Sequence, residues 1–296
     1  MKQAAPTDSL NSEAAPSADK HIVDVLIEER CSHLCASPLW PIYRTVLYPL
    51  LRYPEAVRLA DAIAARTGRE IFDYMSALLE YDVTVKGLEN IPEKGRVIVA
   101  STHPTGIADG IAMYDALKGK RSDLAYFANR DAIRVAPLLS EMLIPVEWVA
   151  AKRSRERSRE TLVSTVKAFT EDKCVVLFPS GRLAFMNERR TLTEQPWQSS
   201  VAIFARKYDC PVVPTYMTGR NSGLYYWFWK INTELRDITL FNELLNKRRT
   251  HVEITFGKPV MPRELPADAD EATEALRKHA AEDVPAGRAW RRPSTA

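Results

Sequence analysis

The chain has 296 residues, 46% of them apolar, the share expected of a globular protein with a sizeable core; the length suits one large α/β domain or two small ones. Lysines and arginines number 41 against 38 aspartates and glutamates, and a net charge of +3 exerts no global pull on nucleic acid, so no nucleic-acid partner is expected. The 4 cysteines, Cys31, Cys35, Cys174 and Cys210, lack C-x-x-C spacing, which argues against a disulfide framework or a metal site and for a reduced cytoplasmic setting.

Residues 1–20 are polar, rich in Ala, Ser and Pro, and read as a disordered tail without the apolar segment of a signal peptide. Residues 21–80 read as an all-helical region. Its helices fall at Asp24–Leu34, around Trp40–Leu51, and over Tyr53–Leu79, the last as one helix or a pair broken near Gly68. Trp40, Ile42, Tyr43, Val46, Leu47, Leu50 and Leu51 form an aromatic-rich face. No stretch approaches the roughly 20 apolar residues of a spanning helix, so any membrane contact is expected at the surface.

From Tyr81 the pattern changes. Strands are predicted at Val83–Val85, Val97–Ala100, Leu124–Ala128, Val146–Val149, Val175–Phe178, Val212–Met217 and Val252–Phe256. Helices are predicted at Gly110–Lys118, Ala132–Leu143, from the charged stretch Lys152–Glu160 through Phe169, at Ser199–Tyr208 and at Pro266–Glu282. This alternation predicts an α/β domain over 81–283, with a mixed, mostly parallel sheet flanked by helices, and a loose tail over 284–296. Neither G-x-x-x-x-G-K-[ST] nor a G-x-G-x-x-G after a strand occurs, so nucleotide binding has no motif support.

Four segments carry candidate chemistry. In Arg96–Asp115 a buried strand runs into a tight loop holding His103 and Asp109. An imidazole beside a carboxylate can act as a general base, and ligands of α/β sheets bind beyond the carboxyl ends of strands. The plainer reading packs His103 at a strand end and makes Asp109 the cap of a helix starting at Gly110. Thr105 and Gly106 are read as offering backbone amides to the crevice. Ser180-Gly181-Arg182 ends another strand; Arg182 suits a phosphate or carboxylate, and the plain alternative is a surface turn. Ser180 as a nucleophile lacks the G-x-S-x-G elbow. Lys152–Glu160 reads as a solvated helix face, with Arg153 able to face the crevice or anionic headgroups. Tyr225–Trp229 is a run of aromatics that suits a membrane interface, a core or a dimer contact.

Taken in order from Val83 to Met261, these blocks resemble the glycerolipid acyltransferase superfamily, the 1-acylglycerol-3-phosphate acyltransferases and their relatives. Its first block is a His and an Asp with four residues between; His103-Pro-Thr-Gly-Ile-Ala-Asp109 has five. The second places an arginine after a strand, as do Pro145-Val146-Glu147-Trp148 and Arg153. The third reads F-P-E-G-T-R; here it is Phe178-Pro179-Ser180-Gly181-Arg182, with serine for glutamate and the arginine one place early. The fourth, an apolar strand containing proline, matches Val212-Val213-Pro214-Thr215.

The resemblance implies an O-acyltransferase of phospholipid biosynthesis. In that scheme His103 deprotonates the hydroxyl of a lysolipid acceptor, and Asp109 orients the ring. The hydroxyl attacks an acyl thioester, acyl-CoA or acyl-carrier protein, with no acyl-enzyme, no metal and no cofactor. Thr105, Gly106, Arg153, Ser180, Gly181 and Arg182 become substrate-binding, and amides near Gly106 or Gly181 meet the oxyanion. The expected location is cytoplasmic and peripheral, on the inner face of the cell membrane. Two other readings stay open: a lipid-ester serine hydrolase using Ser180 with His103 and Asp109, and a non-enzymatic lipid-binding protein.

Overall fold

The computed structural model describes residues 20–147, 152 and 154–292. The N-terminal region is helical: α1 Ile22–Arg30, α2 Ser32–Cys35, α3 Trp40–Leu50, α4 Tyr53–Ile63 and α5 Gly68–Leu79. The break between α4 and α5 is made by a capping box. The Thr67 hydroxyl accepts from the Glu70 amide, and the Glu70 carboxylate accepts from the Thr67 amide at 2.8 Å. A new helix therefore starts at Gly68, and the Tyr53–Leu79 pattern is a pair.

The strands are β1 Asp82–Lys86, β2 Val97–Ser101, β3 Leu124–Asn129, β4 Leu143–Val146, β5 Cys174–Leu177, the short β6 Phe185–Met186 and β7 Leu192–Thr193, β8 Val212–Met217 and β9 His251–Phe256. Seven of them form one sheet in the order β1-β9-β8-β2-β5-β3-β4. Its neighbours pair in parallel except β8 and β9, which run antiparallel, so the sheet is mixed and mostly parallel. The hairpin β6–β7 stands apart.

Strand β2 is buried along its whole length, as its unbroken apolar run requires of a strand covered on both faces. Its side chains alternate between two layers. Val97 and Val99 join a core with α5 and with α6 (Ile107–Leu117). Ile98 and Ala100 join the opposite core, with α9 (Ser200–Lys207) and α13 (Ala269–Lys278). The N-terminal helices make a third cluster with Ile238 of α11 (Thr233–Ile238).

Three local expectations change. The helix expected over Ala132–Leu143 is broken: α7 covers only Asp131–Val135, and a 3₁₀ turn follows at Pro137–Glu141. Ala136, placed before Pro137, is extended, as a pre-proline residue prefers. The next strand is therefore Leu143–Val146 and not Val146–Val149; Trp148 and Val149 lie outside the described residues. Pro145 is tolerated in β4 because β4 is the sheet edge. The tail is not loose over 284–290. Val284 is buried and donates its amide to the His279 carbonyl at 2.9 Å, and the Trp290 ring meets His279 edge-on at 5.2 Å.

The aromatic run is a helix, α10 Gly223–Ile231, started by Ser222, whose hydroxyl accepts from the Tyr225 amide. Its faces divide the earlier readings. Tyr225, Tyr226 and Phe228 are buried, and Trp229 stacks on Phe185 of β6 at 6.4 Å. Trp227 and Ile231, four residues apart, are exposed. Ser222 also donates its amide to Glu243 at 2.8 Å; Glu243, on α12 (Leu240–Leu245), is buried with Lys247 at 3.1 Å, tying α10 to α12.

Candidate active site

Strands β8, β2 and β5 are adjacent and parallel, so the loops leaving their carboxyl ends gather at one edge of the sheet. The loop from β2 carries His103. Its path is tied down first: the Thr102 amide donates to the Thr215 carbonyl at 3.1 Å, and the Thr102 hydroxyl accepts from the Met217 amide at 3.0 Å. Gly106 then reverses the chain at φ +102°, a conformation L side chains rarely adopt. Helix α6 starts at Ile107, three residues before the expected Gly110. Asp109 therefore sits inside the first turn, where the helix dipole favours a carboxylate, and is not the residue preceding it.

From there Asp109 reaches back to His103. Its Oδ2 accepts from His103 Nδ1 at 2.8 Å, from the Thr105 amide at 2.8 Å and from the Gly106 amide at 3.0 Å. Its Oδ1 accepts from the Thr105 hydroxyl. A carboxylate only accepts, so the ring carries its proton on Nδ1 and keeps the lone pair on Nε2. The His103 side chain is 15% exposed and that of Asp109 2%, which leaves the imidazole reachable and seals the carboxylate that orients it. Phe178, at the end of β5, stacks on the imidazole at 4.4 Å. Gly219, beyond β8, lets the loop lie close: a Cβ there would stand 2.8 Å from Thr105 Cγ2.

Thr105 and Gly106 do not offer free amides to the crevice, since both are engaged by Asp109. The Gly181 amide donates to the Phe178 carbonyl at 3.0 Å, so it too is engaged. The oxyanion role expected of amides at Gly106 and Gly181 is thus not met by these two N–H groups. Ser180 is buried and its hydroxyl donates to the Arg182 carbonyl at 2.8 Å, a direction that does not make it a nucleophile activated by His103. Arg182 is exposed, with no side-chain partner among the described residues. Arg153 lies outside the described residues.

Sequence reasoning missed Glu194, on the connection between β7 and α9. Its Oε2 accepts from the His103 amide at 3.1 Å and its Oε1 from the Trp197 indole at 3.0 Å. Burial pushes its carboxyl above the usual carboxylate range, against the lowering pull of the His103 amide, the Trp197 indole and the Ser180 hydroxyl. An acidic residue in a polar loop looks like any solvated side chain until the fold brings it under the histidine.

A His–Asp pair at the carboxyl edge of a parallel sheet, with the base nitrogen left open, meets the comparisons with known proteins here. Residues 82–218 match the family model described as Acyltransferase, so the chain carries an acyltransferase domain whose span runs from β1 to the end of β8. The chain is 27% identical over 198 residues to a lyso-glycine lipid O-acyltransferase of Phocaeicola vulgatus, covering 64% of this chain and 68% of that protein. It is 26% identical over 199 residues to a lyso-glycine lipid O-acyltransferase of Bacteroides thetaiotaomicron, covering 64% of this chain and 70% of that one. The crystal structure of the 1-acyl-sn-glycerophosphate acyltransferase PlsC from Thermotoga maritima superposes with a TM-score of 0.48 at 16% identity, covering 93% of this chain and 97% of that one. Residues 82–218 are thus a domain of the Acyltransferase type, in an enzyme similar to lipid O-acyltransferases.

Proposed function

We propose that this enzyme moves a fatty acyl group from an acyl thioester, acyl-CoA or acyl-carrier protein, to a hydroxyl of a lysolipid, with His103 as general base and without an acyl-enzyme. The observation that carries the reading is the 2.8 Å contact of His103 Nδ1 with Asp109 Oδ2, which leaves Nε2 to take a proton. Nε2 removes the hydroxyl proton as the oxygen attacks the thioester carbonyl. The tetrahedral intermediate then collapses, the C–S bond breaks, and the imidazolium returns the proton to the departing thiolate. Asp109 holds the ring and balances its positive charge, the kind of assistance that contributes about 10²–10⁴-fold.

The relatives' names support a lysolipid acceptor with an amino-acid headgroup. Ser180, uncharged where the resemblance has glutamate, is in keeping with an acceptor other than glycerol phosphate. Thr105 and Gly106 act through Asp109, and Arg182 is the exposed cation beside the crevice that suits an anionic group on either substrate.

The same reading puts the enzyme on the inner face of the cell membrane as a peripheral protein. No helix among the described residues is long and apolar enough to cross a membrane. Helix α3 exposes Leu39 at its start, then Ile42, Tyr43, Val46 and Leu50, and α10 exposes Trp227 and Ile231. Such a face suits the headgroup boundary of a bilayer.

The test is thiol release from acyl-CoA or acyl-carrier protein in the presence of a panel of lysolipids. His103→Ala is expected to lose about 10²–10⁴-fold in turnover while keeping its unfolding temperature. Near-normal turnover by that variant refutes the proposal.

A further inference from the structure

Glu194 is a half-buried carboxylate against His103 that the acyl-transfer scheme above leaves without a task. Its two oxygens are fixed from different sides, Oε2 by the His103 amide at 3.1 Å and Oε1 by the Trp197 indole at 3.0 Å. The His103 carbonyl is held in turn by the Ala184 amide at 2.8 Å. The backbone of the base is thus clamped between the two flanks of the β6–β7 hairpin. The end of β2 is pinned separately, by the Thr102 hydroxyl to the Met217 amide of β8.

We propose that Glu194 is a positioning residue for the base: it fixes the His103 backbone, and its negative charge favours the imidazolium formed when the hydroxyl proton is taken. The proposal rests on the reading of His103 as that base. His103 faces it from the loop after β2, with Asp109 of α6 beyond the ring. Arg277 of α13 is close enough for Glu194 to raise its pKa, but that guanidinium is bonded to Glu274 at 2.7 Å. Ser180 and Trp197, whose side chains also meet it, are neutral. The field of Glu194 therefore falls on an imidazole that changes charge during the reaction and on an arginine that does not.

Two consequences share a sign. Burial raises the Glu194 carboxyl, so its charge is lost as the medium is acidified, and the base loses that support. Removing the charge altogether makes the imidazolium less favourable, so the base stays unprotonated to lower pH. Glutamine at 194 keeps the size and one acceptor oxygen but no charge.

The experiment measures kcat and kcat/KM against pH for the full chain, with a long-chain acyl-CoA and lyso-glycine lipid as substrates. Glu194→Gln is expected to lose on the order of tenfold to a hundredfold in kcat with little change in KM, and to move the acid limb of the profile to lower pH. Glu194→Asp, with the charge retracted, is expected to place the limb between the two. Trp197→Phe loosens the same connection but keeps the charge, so it lowers the unfolding temperature without moving the limb. An unmoved limb in Glu194→Gln, beside a dead His103→Ala, overturns this proposal and spares the acyl-transfer reading. An active His103→Ala overturns both. If Glu194→Gln fails to fold, Glu194→Asp decides: a limb displaced to lower pH supports the proposal and a limb at the wild-type position overturns it.

Discussion

Replacing Asp109 by asparagine separates charge from shape at the centre of the site. Oδ2 faces three N–H donors, His103 Nδ1 at 2.8 Å and the amides of Thr105 at 2.8 Å and Gly106 at 3.0 Å, while Oδ1 faces the Thr105 hydroxyl. The three N–H groups can only donate, and the hydroxyl can donate or accept. An asparagine therefore has one good orientation, its carbonyl toward the N–H groups and its NH₂ toward a rotated Thr105 hydroxyl. The His103 tautomer is preserved. Hydrogen bonds to ionised groups contribute about 1.5–3 kcal/mol and neutral ones about 0.5–1.5, so three bonds each lose about 1 kcal/mol, and stability falls by roughly 2–3 kcal/mol. The loss in the transition state is larger in effect. Two opposite charges about 4 Å apart attract by about 4 kcal/mol at an effective dielectric of about 20, and a neutral amide dipole retains a fraction of that. About 3 kcal/mol of imidazolium stabilisation disappears, which is roughly 10²–10³-fold in kcat, with KM kept. Thiol release and a thermal melt read the two effects separately. Asp109→Ala, by contrast, strands the two buried amides and the half-buried His103 Nδ1 and should unfold well below the asparagine variant. Turnover of Asp109→Asn within threefold of wild type refutes the charge argument, and equal destabilisation by Asn and Ala refutes the orientation argument.

Gly219→Ala brings a Cβ to within 2.8 Å of Thr105 Cγ2, and Thr105 supplies two of the donors on Asp109, so kcat should fall about tenfold or more although residue 219 lies outside the dyad; unchanged kinetics would show that the loop absorbs the contact. Ser180→Ala removes the hydroxyl that meets the Arg182 carbonyl and neighbours Glu194, and should keep transfer within about tenfold, since His103 and Asp109 keep their own contacts. A fluorophosphonate probe should leave the wild type unlabelled, and labelling at Ser180 would restore the hydrolase reading. Ile42→Ser with Val46→Ser removes two side chains that are 62% and 67% exposed, so stability should change by less than about 0.5 kcal/mol, while sedimentation with anionic vesicles should weaken about tenfold or more per side chain; undiminished binding would move membrane contact away from α3.

The parts of the fold legible in the sequence are those decided locally. Val97–Ala100 reads as a buried strand because an unbroken apolar run has few other uses, and β2 is buried throughout. His103 and Asp109 are legible as a pair because six positions and a glycine separate them. What local pattern does not carry is which acceptor ends up over which amide. The amides of Thr105 and Gly106 look free in a Pro-Thr-Gly loop, and only the start of α6 at Ile107 turns Asp109 back onto them. Two prolines shift β4: Pro137 ends the helix early, and Pro145 disguises an edge strand. The hairpin β6–β7 has two residues per strand, too few for any alternation to register. Glu194 is 91 positions from His103, and nothing but the closed fold joins them.

The two departures from the resembled blocks differ in kind. The extra residue between His103 and Asp109 is absorbed by geometry. Gly106 at φ +102° takes the added length into a reversal, and α6 begins directly after it. Asp109 then meets Nδ1 at 2.8 Å, so a spacer of five leaves the base as well oriented as hydrogen bonding allows. The serine at 180 is not compensated in place. Its hydroxyl is held by the Arg182 carbonyl, so this turn brings a buried, engaged oxygen where the resemblance has a charge. A carboxylate is nevertheless present nearby, delivered by the β7–α9 connection as Glu194 and bonded to the backbone of the base itself. Negative charge at this site is thus held against His103 from two sides, and the turn at Ser180–Arg182 presents one exposed guanidinium, which the proposed reading gives to substrate. On the proposed reading, proton abstraction and acceptor choice fall on separate loops, so sequence change in the third block would alter which hydroxyl compound is used without disturbing the His103–Asp109 pair.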